Sequence, residues 1–145
     1  MSPVFLPGDQ LFVVPARQTN PGVARGDVIV VRDPREGRGR YLKRIVGLPG
    51  DRVQQTEGSL LVNGKTFAEG YLGGLPPVIG LDEATWLLGD QEYFVLGDNR
   101  AHSTDSREFG PIRHDDIIGV ARFRYWPLRR VGSIKWPNFE FQQPT

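Results

Sequence analysis

The chain carries little of the usual catalytic equipment. It has no cysteine and only two histidines, His102 and His114, which excludes disulfides, thiolate catalysis and thiolate metal sites and leaves too few ligands for a His-rich metal centre. Two segments hold residues that could do chemistry. The first is Gly97-Asp98-Asn99-Arg100-Ala101-His102-Ser103-Thr104-Asp105-Ser106-Arg107. Polar groups this dense need mutual partners if they are partly buried, and Asp105 with Arg107 is suited to charge-assisted bonds. Such a loop is structural and self-satisfied more often than it is catalytic. The second is Lys43, inside the apolar run Tyr41-Leu42-Lys43-Arg44-Ile45-Val46. A lysine amine near pKa ~10.4 is a poor base at neutral pH. Burial against apolar neighbours disfavours the ammonium and makes the amine a usable base.

The elements around these segments read as short strands. Residues 10–14, 27–32, 40–46 and 92–96 are apolar, rich in β-branched and aromatic side chains and bounded by turn signals. The near-continuous apolarity of residues 27–32 predicts burial on both faces. Alternation along residues 40–46 puts Lys43 on one face with Tyr41 and Ile45, opposite Leu42 and Arg44. Residues 52–55 and 59–62 form a hairpin, and Asn63-Gly64 turns the chain into a further strand at 65–67. Residues 70–80 are rich in Gly and Pro and are expected to be irregular. Residues 81–88 read equally as helix or strand, and 97–110 as a long polar loop. Residues 114–116 suit one capped helical turn, and 119–126 a final strand ended by Pro127. The tail after Arg130 has no pattern.

Of the 145 residues, 18 are Gly and 12 Pro, and 24% are charged. That balance fits one mostly β domain with a core and many turns. A net charge of +1 gives no basic excess of the kind nucleic-acid binding requires. The Arg-rich stretch 32–44 is read as a solvated strand-loop-strand surface. No run approaches the roughly 20 apolar residues that span a bilayer, and no signal peptide follows Met1, so the chain as written reads as soluble.

Four boxes, in order, resemble the bacterial type I signal peptidase family (leader peptidase, S26), over Met1 to about Pro127. Met1-Ser2-Pro3-Val4-Phe5-Leu6-Pro7-Gly8-Asp9 resembles the family's Ser-Met-x-Pro-Thr-Leu-x-x-Gly-Asp. Arg25-Gly26-Asp27-Val28-Ile29-Val30-Val31 matches the next box. Tyr41-Leu42-Lys43-Arg44-Ile45-Val46-Gly47-Leu48-Pro49-Gly50-Asp51 matches the third. Gly97-Asp98-Asn99-Arg100, Ser103 and Asp105-Ser106-Arg107 match the last. Four ordered boxes are far more specific than a lone motif.

The resemblance implies a mostly β, antiparallel catalytic domain of the signal peptidase/LexA-like type over residues 1–145, with a small variable subdomain or insertion at 53–92. It implies a Ser/Lys endopeptidase that removes signal peptides from exported preproteins with small residues at positions −1 and −3. Lys43 would be the general base and Ser103 would orient it. Asp98, Asn99, Asp105 and Arg107 would support the site, and Met1, Pro3, Tyr41 and Leu42 would bind substrate. No cofactor and no metal are implied. The partners would be preprotein signal peptides and a membrane surface, with the domain on the outer side of the plasma membrane. The family nucleophile precedes the Met aligned with Met1, so the resemblance also implies that this chain lacks it, through N-terminal truncation or as a pseudoenzyme, and is inactive as it stands. Ser2 lies one residue downstream, and in an extended segment one residue turns a side chain to the opposite face. Val4 stands where the family has Thr. Two alternatives remain: a LexA-like self-cleaving peptidase, and a non-catalytic module that binds signal peptides. Trp126, which ends a strand, is read as core. Trp86, and Trp136 with Phe139, are left between core and a membrane-facing rim.

Overall fold

A computed structural model describes residues 1–2, 4–20, 22–56, 58–67, 72, 82–134 and 141–142. The expectations for Pro3, Leu81, Trp136, Phe139 and all of 70–80 but Leu72 lie outside these residues. Among the described residues the architecture is two antiparallel sheets. The larger contains β1 (Gln10–Pro15), β2 (Val28–Arg32), β3 (Arg40–Gly47), β8 (Glu92–Leu96), β9 (Ile112–Arg113) and β10 (Ile117–Trp126), in the order β1-β10-β2-β3-β8-β9, with β11 (Gly132–Ser133) also on β10. The smaller contains β4 (Arg52–Thr56), β5 (Ser59–Val62), β6 (Lys65–Phe67), β7 (Ala84–Leu87) and β12 (Phe141–Gln142), in the order β12-β6-β5-β4-β7. No described helix is long and apolar enough to cross a membrane.

Central strands are buried on both faces, as their unbroken apolar runs predict. In β8, Phe94 and Leu96 join Val46, Val53, Leu60, Val62 and Leu88 in a cluster that draws side chains from both sheets. Tyr93 and Val95 point the other way, into a second cluster with Ile29, Val31, Ile45, Ile112, Ile117 and Val120. A third cluster joins Phe5, Val28 and Ala121, with Met1, Val4, Leu11 and Leu42 packed against it. It holds the start of the chain against the face of β2 and β3. The β5–β6 turn has the form its sequence predicts: Asn63 at φ 53° and Gly64 at φ 76° are both left-handed, as a two-residue hairpin turn needs.

Several expectations are corrected. Residues 84–87 form a strand, because β4 offers them a paired edge. The polar loop 97–110 contains a 3-10 turn at Arg100–His102 and a short helix, α1 (Ser106–Phe109). The tail supplies β11 and β12. Trp126 is not core but 47% exposed, beside exposed Phe123, Tyr125, Leu128 and Val131. Trp86 is partly buried, its ring centroid 4.7 Å from that of Phe94. The Arg-rich stretch is not uniformly solvated: Arg32 and Arg40 are exposed, but Arg44 is 1% exposed.

Phe94 is fully buried where the sheets share side chains. Truncation there leaves a cavity, so Phe94→Ala is expected to lower the unfolding free energy by about 3–5 kcal/mol in urea titrations. Leu87→Ala, at a position 76% exposed, should change it by no more than about 0.5 kcal/mol.

Candidate active site

Lys43 reaches its position through strand register. On β3 it pairs with Ile29 of β2, and its neighbour Arg44 pairs with Leu96 of β8. The next residue of the β8 segment is Gly97, which brings no side chain toward Lys43. A Cβ at that position would lie 2.5 Å from Ser103 Cβ, closer still to Ser103 Oγ, and 3.6 Å from Lys43 Nζ. The space a side chain would fill is occupied by Ser103. Its hydroxyl accepts a hydrogen bond from Lys43 Nζ at 2.8 Å. Residues 60 positions apart in the sequence thus meet at a gap left by glycine.

Lys43 is 7% exposed. Its pKa is lowered from the ordinary lysine value, chiefly by burial. Asp105 and Glu108 oppose the shift, and Arg107 and Arg35 assist it. Asp105 does not cancel the effect of burial because its charge is already engaged. Arg107 donates to it from Nε and Nη2, both at 2.8 Å, and from its backbone amide at 3.2 Å. The Asp105 carboxylate also accepts the Gly97 amide at 3.0 Å and caps α1. One buried carboxylate therefore fixes both ends of the loop that carries Ser103. Arg107 extends the hold by donating to the Arg100 carbonyl at 2.8 Å.

Asp98 sits at the mouth of the same loop, fully buried. Arg44 grips it with two bonds, Nε to Oδ1 at 2.8 Å and Nη2 to Oδ2 at 2.9 Å, and adds a third bond to the Gly26 carbonyl. Breaking such a buried pair strands a charge, at a cost of about 3–5 kcal/mol. Alternation gives Arg44 no role, because the 54-residue separation from Asp98 hides the pair. Ser106 is a second residue missed: its hydroxyl accepts the Val95 amide at 2.9 Å and fastens α1 to β8. Asn99 contributes through its main chain, its carbonyl accepting the His102 amide at 3.1 Å.

The four candidates for substrate contact are distributed as follows. Met1 packs with Leu42 against the Phe5 cluster, and its sulfur accepts the Asp98 amide at 3.4 Å. The Tyr41 ring centroid lies 5.3 Å from Lys43 Nζ. Pro3 is outside the described residues. No hydrogen bond joins Ser2 to Lys43 among the described residues. An open cleft lined by Arg100, Ala101, Ser103, Arg107, Glu108 and Gln55 adjoins the Lys43–Ser103 pair. Chemically, the arrangement is a buried amine whose proton affinity is lowered, bonded to a serine hydroxyl that lines a cleft, which suits it to act as a general base.

Two outcomes follow. Gly97→Ala must push Ser103 aside, so the Lys43–Ser103 hydrogen bond should be lost while the fold is retained, visible as a changed Lys43 side-chain NMR signal with unchanged far-UV circular dichroism. The lowered pKa of Lys43 also sets a pH dependence. Below its folded titration point the folded state carries a proton that burial disfavours. Between that point and ~10.4 the unfolded chain binds the extra proton, so stability rises with pH through this window. Replacing Lys43 by Met should therefore stabilise the chain most at low pH, with the gain shrinking as pH rises, measured by urea unfolding at a series of pH values.

The profile of the family described as "Signal peptidase, peptidase S26" matches residues 1–126. A protein named "Probable signal peptidase I-2" from Synechocystis is 32% identical over 139 residues, covering 92% of this chain and 62% of its own length. "Signal peptidase I U" of Bacillus subtilis is 35% identical over 143 residues, covering 93% of this chain and 75% of itself. The chain thus spans less than two thirds of the Synechocystis relative and three quarters of the Bacillus one. The crystal structure of a signal peptidase I from Enterococcus faecalis is 32% identical, with a TM-score of 0.58 over 68% of this chain and 95% of that one. With the profile matched from Met1 to Trp126 and the antiparallel fold shared, the chain belongs to the signal peptidase family, peptidase S26.

Proposed function

We propose that this chain is the catalytic domain of a Ser/Lys endopeptidase that removes signal peptides from exported preproteins, with Lys43 as general base. One observation carries the reading: Lys43 is 7% exposed, with its amine 2.8 Å from the Ser103 hydroxyl. In the proposed reaction a serine hydroxyl attacks the scissile carbonyl while neutral Lys43 takes its proton. Lys43 then returns a proton to the departing amine. Ser103 holds the amine in line. Asp105–Arg107 and Asp98–Arg44 fix the loop and strand that carry the two groups, with Asn99 between them.

The substrate peptide lies extended against Met1, Pro3, Tyr41 and Leu42 and is read as an added strand. Shallow apolar pockets there admit small side chains at positions −1 and −3 and reject larger ones. Residues 53–92 form the small variable subdomain on this reading. The domain works at the outer face of the plasma membrane. The exposed apolar side chains at one end of β1 and β10, Phe12, Phe123, Tyr125, Trp126 and Leu128, support contact with the membrane surface. Neither a nucleic acid nor a cofactor enters the proposal.

The nucleophile of this reading is a serine directly before Met1, and Ser2 is not its substitute. Two proteins test it: the 145-residue chain, and the same chain with a serine placed before Met1. Against an Ala-x-Ala reporter peptide, the extended protein should cleave and lose activity by at least about a thousandfold on Lys43→Ala, while the 145-residue chain should be inactive. Equal activity of the two proteins, or an extended protein indifferent to Lys43→Ala, would refute the assignment.

A further inference from the structure

The side of Lys43 bearing Tyr41 carries a second cluster in which the Ser/Lys reading gives Asp33 and Arg35 no task. Asp33 directly follows β2, and its loop closes on itself through the Asp33 amide to the Gly39 carbonyl at 3.2 Å and the Gly37 amide to the Asp33 carbonyl at 3.0 Å. Its side chain is 5% exposed, although that of its partner Arg35 is 47% exposed. The carboxylate accepts three hydrogen bonds: the Arg35 amide at 2.9 Å, Arg35 Nε at 3.4 Å and the Tyr41 hydroxyl at 2.8 Å. The Tyr41 oxygen in turn accepts Arg35 Nη2 at 3.0 Å. A phenol offers one proton and one acceptor site for strong bonds, and both are taken. The ring so anchored has its centroid 5.3 Å from Lys43 Nζ.

We propose that Asp33 is a positioning residue for the Lys43 base, acting through the Tyr41 hydroxyl with Arg35 as its partner. The inference rests on the reading of Lys43 as that base. An Arg–Asp pair whose arginine is half-exposed contributes little to stability by itself. Its consequence here is geometric: it stops the Tyr41 ring from swinging away from the amine. A held ring keeps water off Lys43, and a held Arg35 keeps a positive charge nearby. Both favour the neutral amine, against the ring's cation–π pull on the ammonium. The charged groups that act on Lys43 are Asp105, Arg107, Glu108, Arg35 and the amino group of Met1. Of these, Arg35 is the one that Asp33 holds.

The sign of the effect separates this role from its rivals. If Asp33 acted only as a nearby negative charge, removing it would weaken proton binding at Lys43. If it only closed the 33–39 loop, removal would leave Lys43 unchanged. If it positions Tyr41 and Arg35, removal strengthens proton binding. The chain has three lysines, Lys43, Lys65 and Lys135, so 13C-labelled lysine NMR on the full 145-residue chain resolves each titration, with Lys43→Met as the assignment control. Asp33→Ala should raise the proton affinity of Lys43 roughly tenfold, one pH unit. Tyr41→Phe keeps the ring but cuts the anchor, so it should act in the same direction. The double variant should move Lys43 no further than Asp33→Ala does, because both cut one chain of contacts. An unchanged or downward Lys43 titration in the variants overturns the proposal. If Asp33→Ala does not fold, Tyr41→Phe decides by the same criterion. A wild-type Lys43 that titrates together with Lys65 and Lys135 instead overturns the base assignment, and this inference with it.

Discussion

The structure depends on keeping one amine dry. A lysine side chain in a sheet normally snorkels to water, because burying an ammonium costs several kcal/mol. Lys43 is largely denied that route: it is 7% exposed, Tyr41 and Ile45 share its face of the strand, and Ser103 of the 97–107 loop bonds its amine. The folded state therefore shifts Lys43 toward the neutral form, and the proposed base function would follow from packing. The energetic strain of the site lies in this shift, and the surrounding polar groups are arranged so as not to undo it.

That arrangement is one of paired charges. Asp98 and Asp105 are both fully buried, and Asp105 alone would draw a proton onto the Lys43 amine. Each is instead bound by an arginine through two side-chain bonds, Asp98 by Arg44 and Asp105 by Arg107. Lys43 thus faces ion pairs whose fields largely cancel, and burial remains the leading influence on it. On the Tyr41 side Asp33 meets Arg35 through one longer side-chain contact and the Arg35 backbone amide, and Tyr41 takes the remaining bonds. Bidentate guanidinium–carboxylate geometry suits the purpose, since it fixes direction as well as neutralising charge.

Much of this was legible in the residues. The strands β2, β3 and β8 announce themselves by β-branched and apolar runs, and the β5–β6 turn by Asn63-Gly64. Alternation alone set Lys43 beside Tyr41 and Ile45. The order of the four boxes brought Lys43 and the 97–107 loop into one hypothesis, and the structure places them 2.8 Å apart. What stayed hidden depends on contacts between distant positions. Arg44 lay in a basic stretch read as solvated, and only the fold reveals Asp98 as its partner. Helix α1 is four residues long, too short for a periodic signal, and it exists because Asp105 caps it and Ser106 ties it to β8. Trp126 ends a strand, as expected, but at an end of the sheet where, among the described residues, no second layer covers it. Exposure there is a property of topology, and local sequence does not encode it.

Register links these observations. On β3, Lys43 and Arg44 point to opposite faces, and each has its own acceptor: Ser103 for one, Asp98 for the other. Shifting β3 by one residue against β8 would exchange them. The guanidinium would then press on the space beside Gly97, which Ser103 fills, and the lysine would face Asp98. The same slip would move Ile45 and Val46 out of the clusters they complete. The Lys43–Ser103 and Arg44–Asp98 pairs and the core packing therefore impose one register between them.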